Sequence, residues 1–387
     1  MATLNSTISG SNTGDTLIGT ESDQLISAGT GADSIQGNNG ADVLNGGDGN
    51  DNFVYTATAD LFAGNTLVDV LNGGTGTDAI AINNNGGATF TIAVGDLITS
   101  RFSGVESIRA YAASDQIISV TLADSSYEAG LRTVDLSADT DATSNNVINV
   151  GAETGANGYA LTGSAGIDSF TGGAGTDTVS GGGGADTIDG GALVDRLTGG
   201  AGNDQFRFMR TSTLTTDRDN ITDGAAADLY AINTSTGGAL AGAFRAAAGA
   251  MVDGDGSASA AIADGASANA DVSAAINIAA GAAVDVGAAG DDVLIFNAGT
   301  ATGIDGLAAA LAAAGTTIRQ SDSNQFANGE RMFAVVENTG TNQIDVGTVT
   351  FNGAGAISAV TTMFEIDIAA ALTTTQVATA MDYIGLA

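Results

Sequence analysis

The sequence has no cysteine, proline, lysine, histidine or tryptophan. Without cysteine there are no disulfides and no thiolate metal sites. Without histidine the H-E-x-x-H zinc site, the Ser-His triads and the Cys-His pairs are all excluded. Positive charge is scarce: ten basic residues, every one an arginine, face 44 Asp and Glu, for a net charge of −34. A phosphate backbone needs a basic patch, so nucleic acid is excluded as a partner. No run approaches the roughly 18 consecutive apolar residues of a membrane span. Met1 to Gly10 is polar, without the basic and then apolar stretches of a cleaved signal peptide. Export, where it occurs, is therefore expected by another route. Aromatics make up only 5% of the chain, which predicts a thin, laminar core rather than a bulky globular one.

Glycine is abundant, at 57 of 387 residues, and collagen is excluded because it needs strict triplets and proline. The glycines fall on a period of nine. Residues 163–207 read as GSAGIDSFT, GGAGTDTVS, GGGGADTID, GGALVDRLT and GGAGNDQFR. Position 6 is Asp168, Asp177, Asp186, Asp195 and Asp204, and position 8 is Phe170, Val179, Ile188, Leu197 and Phe206. Position 4 is glycine except at Leu193. A second array, AGTGADSIQ, GNNGADVLN and GGDGNDNFV, carries Asp33, Asp42 and Asp51, with Ile35, Leu44 and Phe53 at position 8. GGTGTDAIA is a further copy with Asp78, and Asp69 lies nine residues before it. Asp15 and Asp23 mark degenerate copies upstream.

Each residue type has a physical reason. Glycine accepts the backbone angles of a tight turn. Removing side chains lets carbonyl oxygens converge on an ion, and the position-6 Asp adds carboxylate oxygens. Hard oxygen donors suit Ca²⁺, which takes six to eight of them. Positions 7 to 9 form a short strand with position 8 inward. One copy cannot bury that residue, but stacked copies can, so the array is predicted to coil into a parallel β-roll. A calcium-free glycine-rich β-helix is the alternative, and the acidity then serves solubility alone.

These segments resemble the RTX (repeats-in-toxin) calcium-binding modules of type-I-secreted bacterial proteins. The resemblance implies that two nonapeptides make one turn and that several Ca²⁺ ions sit between turns. It implies that Asp168, Asp186 and Asp204 line one side and Asp177 and Asp195 the other. Asp33 and Asp51 likewise share a side, opposite Asp42. Asp78 is a further ligand, and Asp15, Asp23 and Asp69 are weaker ones. Backbone carbonyls at Gly46, Gly47, Gly172, Gly173, Gly181, Gly182, Gly190, Gly191, Gly199 and Gly200 complete the sites. Leu193 departs from the motif and puts its turn in doubt.

The rest of the chain is less regular. Val120-Thr-Leu122, Val134-Asp-Leu136 and Ile148-Asn-Val150 recur every 14 residues, as solenoid rungs do. Phe90 to Val94 and Val105 to Ile108 look like earlier rungs, and a compact β-sandwich inserted between two rolls is the alternative. Phe206, Phe208, Met209 and the run Asp219 to Asp223 look like a closing cap. Residues 237–290 are Ala-, Gly- and Asp-rich, either a linker or small-residue helices. Asp253, Asp255, Ser257 and Asp264 are faintly EF-hand-like, but Ala258 replaces the required glycine. The tail is predicted to be α+β. Strands are expected at 291–296, 332–336 and 346–351 and a helix at Ile304 to Ala314. A final helix after the Thr373 to Gln376 capping box would dock on this domain and, by resemblance, serve as an export signal.

The expected fold is thus mainly β, a parallel β-roll or β-helix solenoid followed by a smaller α+β domain. The expected domains are 1–81, a first roll; 82–160, solenoid rungs; 161–236, a second roll with cap; 237–290; and 291–387. The expected function is a secreted calcium-binding structural protein of a Gram-negative-type cell surface, forming a surface layer, sheath or filament. Its partners would be calcium, further copies of itself, the type I secretion machinery and a cell-surface polysaccharide. The alternatives are a polysaccharide-acting enzyme and an adhesin. Enzyme activity is not expected; Glu106, Arg109 and Asp115 are the one cluster that carboxylate chemistry would draw on.

Overall fold

A computed structural model describes residues 6–63, 66–84, 88–92, 101–111, 117–209, 219–223, 229–233, 283–286, 293–300, 303–314, 317–320, 331–338, 343–352 and 356–367. The chain folds as two compact units, Met1–Ala192 and Leu193–Ala387. The EF-hand-like run, Asp115 and the C-terminal helix of the sequence reading lie outside the described residues.

The first unit is a roll of parallel sheets. One sheet stacks Ser6–Ser9, Gln24–Thr30, Val43–Asp48, Val70–Thr75 and Phe102–Ser103. A second begins with Thr16–Ile18, Ser34–Gln36, Asn52–Tyr55, Ala79–Ile82 and Ser107–Ala110, and continues through Thr133–Asp135, Ala160–Thr162 and Thr178–Gly183. A third takes over opposite it with Phe90–Ile92, Ile118–Ala123, Asn145–Ala152, Ile167–Thr171 and Thr187–Asp189. The chain alternates between facing sheets, so consecutive nonapeptides fall on opposite sides of the roll.

Position 8 sets the packing. In the parallel register Ile35 lies beside Phe53, Phe53 beside Ile80 and Ile80 beside Ile108, and each is fully buried. Ile26, Leu44 and Leu71 form the facing column. Each such side chain contributes about 1.5–3 kcal/mol on burial, but only as part of a column. The turn between Asn52–Tyr55 and Val70–Thr75 is longer, because Thr58–Leu61 forms one helical turn and Phe62–Ala63 pairs antiparallel with Thr66–Leu67. That excursion buries Leu61, Phe62 and Leu67.

The 14-residue alternation of the middle segment corresponds to half-turns. Val120 pairs with Ile148 in one sheet, while Val134 sits between Ile108 and Leu161 in the other. These strands stack in parallel with those that follow them, Ile148 against Phe170 and Leu161 against Val179. Parallel stacking of this kind is the solenoid reading of the segment rather than the inserted sandwich.

In the second unit, Arg196–Ala201, Asp219–Ile221, Ile357–Asp367, Gln343–Phe351, Arg331–Asn338 and Val293–Thr300 lie side by side in that order. The pairings of Gln343–Phe351 with both neighbours are antiparallel. The helix expected from Ile304 begins as a 3-10 turn, Gly303–Gly306, and is α-helical only from Leu307 to Ala314. Gly306 disfavours the α-helix, and the Ile304 N–H donates to Asp345 Oδ2 at 2.9 Å. Ile304, Leu307 and Leu311 are buried. No helix among the described residues is long and apolar enough to cross a membrane.

Candidate calcium-binding turns

Each position-6 aspartate stands where a glycine turn enters a strand, and this placement buries it. Asp33, Asp42, Asp51, Asp78, Asp168, Asp177, Asp186, Asp195 and Asp204 are at most 1% exposed. In the first unit their Oδ1 atoms form ladders, accepting the backbone N–H of the matching residue one turn earlier. On one edge Asp15 donates to Asp33 at 2.7 Å, Asp33 to Asp51 at 2.8 Å and Asp51 to Asp78 at 2.7 Å. On the other edge Gln24 donates to Asp42 and Asp42 to Asp69, both at 2.8 Å. Asp33 and Asp51 therefore share an edge that excludes Asp42. In the second array Asp168 donates to Asp186 at 2.8 Å and Tyr159 to Asp177 at 2.7 Å.

The second carboxylate oxygen differs. Oδ2 of Asp33, Asp42, Asp51 and Asp78 is buried and has no hydrogen-bond partner. A buried anionic oxygen without a donor is costly. The position-1 glycine leaves room for it: a Cβ on Gly46 would stand 2.2 Å from Asp51 Oδ2, and one on Gly73 would stand 2.4 Å from Asp78 Oδ2. Positions 2 and 4, at Gly47 and Gly49, are crowded by backbone alone. Gly47 and Gly49 take φ of +114° and +134°. A Cβ on either would fall 1.9 Å from a carbonyl oxygen of the preceding turn, that of Gly29 or Gly31. The turns thus stack carbonyl against glycine, which concentrates main-chain oxygens beside the carboxylates.

Burial raises six of the turn carboxyls. Asp42 and Asp78 are pushed up to about 6 and Asp69 to about 7. Asp51, Asp168 and Asp177 are also raised, again chiefly by burial. No three acidic side chains converge among the described residues. The oxygens that crowd the carboxylates of Asp51 and Asp78 are those of the main chain. Orphaned buried carboxylate oxygens beside an all-oxygen backbone cradle fit a hard divalent cation, and fit Ca²⁺ better than the smaller, strictly octahedral Mg²⁺.

Other expected residues fall differently. The ladder position near Asp23 belongs to Gln24, which is 2% exposed; Asp23 is one residue earlier and accepts the Ala41 N–H at 2.9 Å. Asp69 Oδ2 accepts the hydroxyl of fully buried Tyr55 at 2.8 Å. Leu193 keeps the turn's left-handed backbone, with φ +73°. Glu106, considered above for catalysis, accepts the Asp78 N–H at 2.8 Å and ends that ladder. Asn146 occupies a ladder place ahead of Asp168, with its Oδ1 on the Ile118 N–H at 2.7 Å. Asp219, read as part of a cap, accepts the Asp195 N–H at 3.0 Å, and Asp223 accepts the N–H groups of Gly199 and Gly200. Gln24 was discoverable, since it lies 18 residues before Asp42. Glu106 and Asn146 follow longer turns that no nonapeptide count reaches.

Glycine turns stacked on parallel strands, with a buried aspartate at each turn exit, define the class: a calcium-binding β-roll. The family model of the RTX calcium-binding nonapeptide repeat matches the chain in four copies, over residues 18–53, 162–194 and 194–207. These segments are RTX-type calcium-binding nonapeptide repeats, and such repeats accommodate several Ca²⁺ ions. The repeat is a structural calcium-binding module rather than a catalytic one. The Asp78 turn lies outside the matched residues yet has the same geometry. No curated protein matches the chain.

Proposed function

We propose that this protein is exported by a type I machinery, folds on meeting extracellular Ca²⁺, and serves as a self-assembling structural component of a bacterial cell surface. The reading rests on one observation: four buried carboxylate oxygens, on Asp33, Asp42, Asp51 and Asp78, have no partner among the described residues. We assign these aspartates as ligands, with main-chain carbonyls of their glycine turns, and extend the assignment to Asp186, Asp195 and Asp204 by their equivalent turns. Bound Ca²⁺ supplies the positive charge that these buried oxygens otherwise lack.

RTX repeats are typical of secreted proteins of Gram-negative bacteria, which supports the extracellular setting. Extracellular calcium modules bind with dissociation constants of about 10⁻⁴ to 10⁻³ M, so such turns stay empty at cytosolic calcium levels. Outside the cell, binding drives folding by mass action; one site at 100 times its dissociation constant adds about 2.7 kcal/mol. A surface layer, sheath or filament fits a repetitive, lysine-free chain, and a surface polysaccharide is a fitting anchor.

Far-UV circular dichroism and light scattering during one Ca²⁺ titration test both parts. β-Structure is expected to rise sharply at millimolar Ca²⁺, weakly with Mg²⁺, and particle size is expected to grow as the fold forms. Equal rescue by Mg²⁺ counts against the assigned ligands. A folded, strictly monomeric protein at millimolar Ca²⁺ counts against assembly and leaves the adhesin or enzyme readings standing.

A further inference from the structure

The glycine turns exist in two states, and position 2 of the motif separates them. In the turns of Asp33, Asp42, Asp51 and Asp78, position 2 is Gly29, Asn38, Gly47 or Gly74, with φ between +62° and +114°. Position 4 is Gly31, Gly40, Gly49 or Gly76, with φ between +118° and +134°. In all four turns the aspartate Oδ2 is buried without a partner.

Three other turns differ at the same place. Position 2 is Ser11, Ser164 or Gly173, and none of these has the left-handed φ. Their backbone N–H groups instead donate to the aspartate Oδ2 of their own turn. The distances are 2.6 Å from Ser11 to Asp15, 2.6 Å from Ser164 to Asp168 and 2.9 Å from Gly173 to Asp177. The serines add a second donor, with Ser11 Oγ at 2.8 Å and Ser164 Oγ at 2.9 Å from that oxygen. The Ser164–Asp168 pair is fully enclosed, at 4% and 1% exposure.

We propose that position 2 sorts the repeats into turns that take Ca²⁺ and turns that take none, and that Ser164 closes the Asp168 turn to calcium by putting two hydrogen-bond donors on its carboxylate. The inference rests on the calcium reading of the open turns. Its physics is direct. An N–H and an O–H aimed at one carboxylate oxygen occupy its lone pairs and place positive dipole ends where a cation would sit. A serine resists the left-handed backbone that would turn its N–H away, which holds the Ser164 turn closed; Gly173 takes the same state without that restraint. The position of the closed turn matters too. Asp168 accepts the Asn146 N–H, joining the longer middle rungs to the second array. At this junction the turn is satisfied by the chain's own donors, so the second array has a first turn to stack on before calcium arrives.

Bound calcium is counted by metal analysis of the full-length protein after equilibration in millimolar Ca²⁺. Asp51→Asn is expected to lower the count by at least one ion and Asp168→Asn to leave it unchanged. Ser164→Gly, which permits the left-handed turn, is expected to raise it by one; Ser164→Ala, which does not, is expected to leave it as it was. Hydrogen exchange in chelator gives an independent reading that needs no variant: amides of 164–171 are expected to stay protected while those of 47–54 exchange freely. Loss of an ion in Asp168→Asn, or equal protection of the two segments, overturns the inference and leaves the calcium reading intact. A parent protein that binds no Ca²⁺ overturns both.

Discussion

Alanine at Gly47 isolates the stacking requirement of the turns. The residue has φ +114°, and its new Cβ would meet Gly29 O at 1.9 Å. The left-handed backbone alone costs an alanine about 1–2 kcal/mol. The contact must also open by more than an ångström, and Gly47 pairs with Gly29 on one side and Gly74 on the other. Losing one or two ladder hydrogen bonds adds about 0.5–1.5 kcal/mol each, for a total of about 1.5–5 kcal/mol. Two controls separate the causes. Gly130 has φ +116°, but its nearest obstacle is Val105 O at 3.7 Å, so Gly130→Ala should cost about 1–2 kcal/mol from the backbone alone. Gly183 has no left-handed φ and an obstacle no nearer than 3.4 Å, so Gly183→Ala should be neutral or stabilising by up to about 1 kcal/mol. Urea unfolding at saturating Ca²⁺, followed by far-UV circular dichroism, measures all three. If Gly130→Ala costs as much as Gly47→Ala, the close approach of the turns contributes nothing and the stacking argument fails.

Two further outcomes follow from the buried carboxyls. Tyr55→Phe removes the hydroxyl on Asp69 Oδ2 and should cost about 1.5–3 kcal/mol, as loss of a hydrogen bond to a charged group does; a melt superimposable on the parent's would mean that the buried pair contributes nothing. In chelator, the response to pH should run opposite to ordinary acid denaturation. Asp42 and Asp78 are raised to about 6 and Asp69 to about 7, against about 3.9 in an unfolded chain. The folded, metal-free roll therefore binds more protons than the unfolded chain across this range. That stabilisation is complete below about pH 4 and is lost as pH rises to about 7. More β-structure is expected in chelator at pH 5 than at pH 7.5, and the reverse order of calcium affinity, because Ca²⁺ must displace those protons. Greater β-content at pH 7.5 in chelator would refute the assignment of burial as the cause.

The nine-residue period carries most of what sequence reveals here, because one physical unit, a turn plus a three-residue strand, repeats without variation in length. Ile35, Leu44 and Phe53 are inward because position 8 is the middle of that strand, and Asp33 and Asp42 take opposite edges because consecutive units take opposite sheets. Where unit length changes, the pattern stops being informative. Asp69 precedes Asp78 by one nonapeptide, yet its ladder partner is Asp42, 27 residues away, because the Thr58–Leu61 excursion lies between them. Gln24, Glu106 and Asn146 hold ladder places with the wrong side chain for the motif. What qualifies them is an oxygen at the right height beside a backbone N–H, a property of the stacked structure rather than of residue type. Position 2 carried a signal that the motif obscures: serine in place of glycine in GSAGIDSFT looks like a tolerated variant, yet both its N–H and its hydroxyl are aimed at Asp168 Oδ2.

The ladder explains why a roll of this kind requires a cation rather than merely tolerating one. Parallel stacking puts matching residues about 4.8 Å apart, so ionised Asp33 and Asp51 repel each other by on the order of 3 kcal/mol at an effective dielectric constant of 20. Hydrogen bonds from the turn before satisfy one oxygen of each but leave the charge in place. Lengthening the array by another open turn adds the same repulsion again, while the inward position-8 side chain returns only about 1.5–3 kcal/mol on burial. Without a counter-charge, growth of the stack is close to unfavourable at every step, before backbone ordering is counted. A divalent ion shared between neighbouring carboxylates reverses the sign of that step. Replacing the carboxylate, as Gln24 and Asn146 do, avoids it at the cost of a site. Adding donors, as Ser164 does, keeps the aspartate and gives up the ion. Long arrays of open turns are thus available only to a chain that meets calcium, and the middle rungs are built from longer turns without the aspartate repeat.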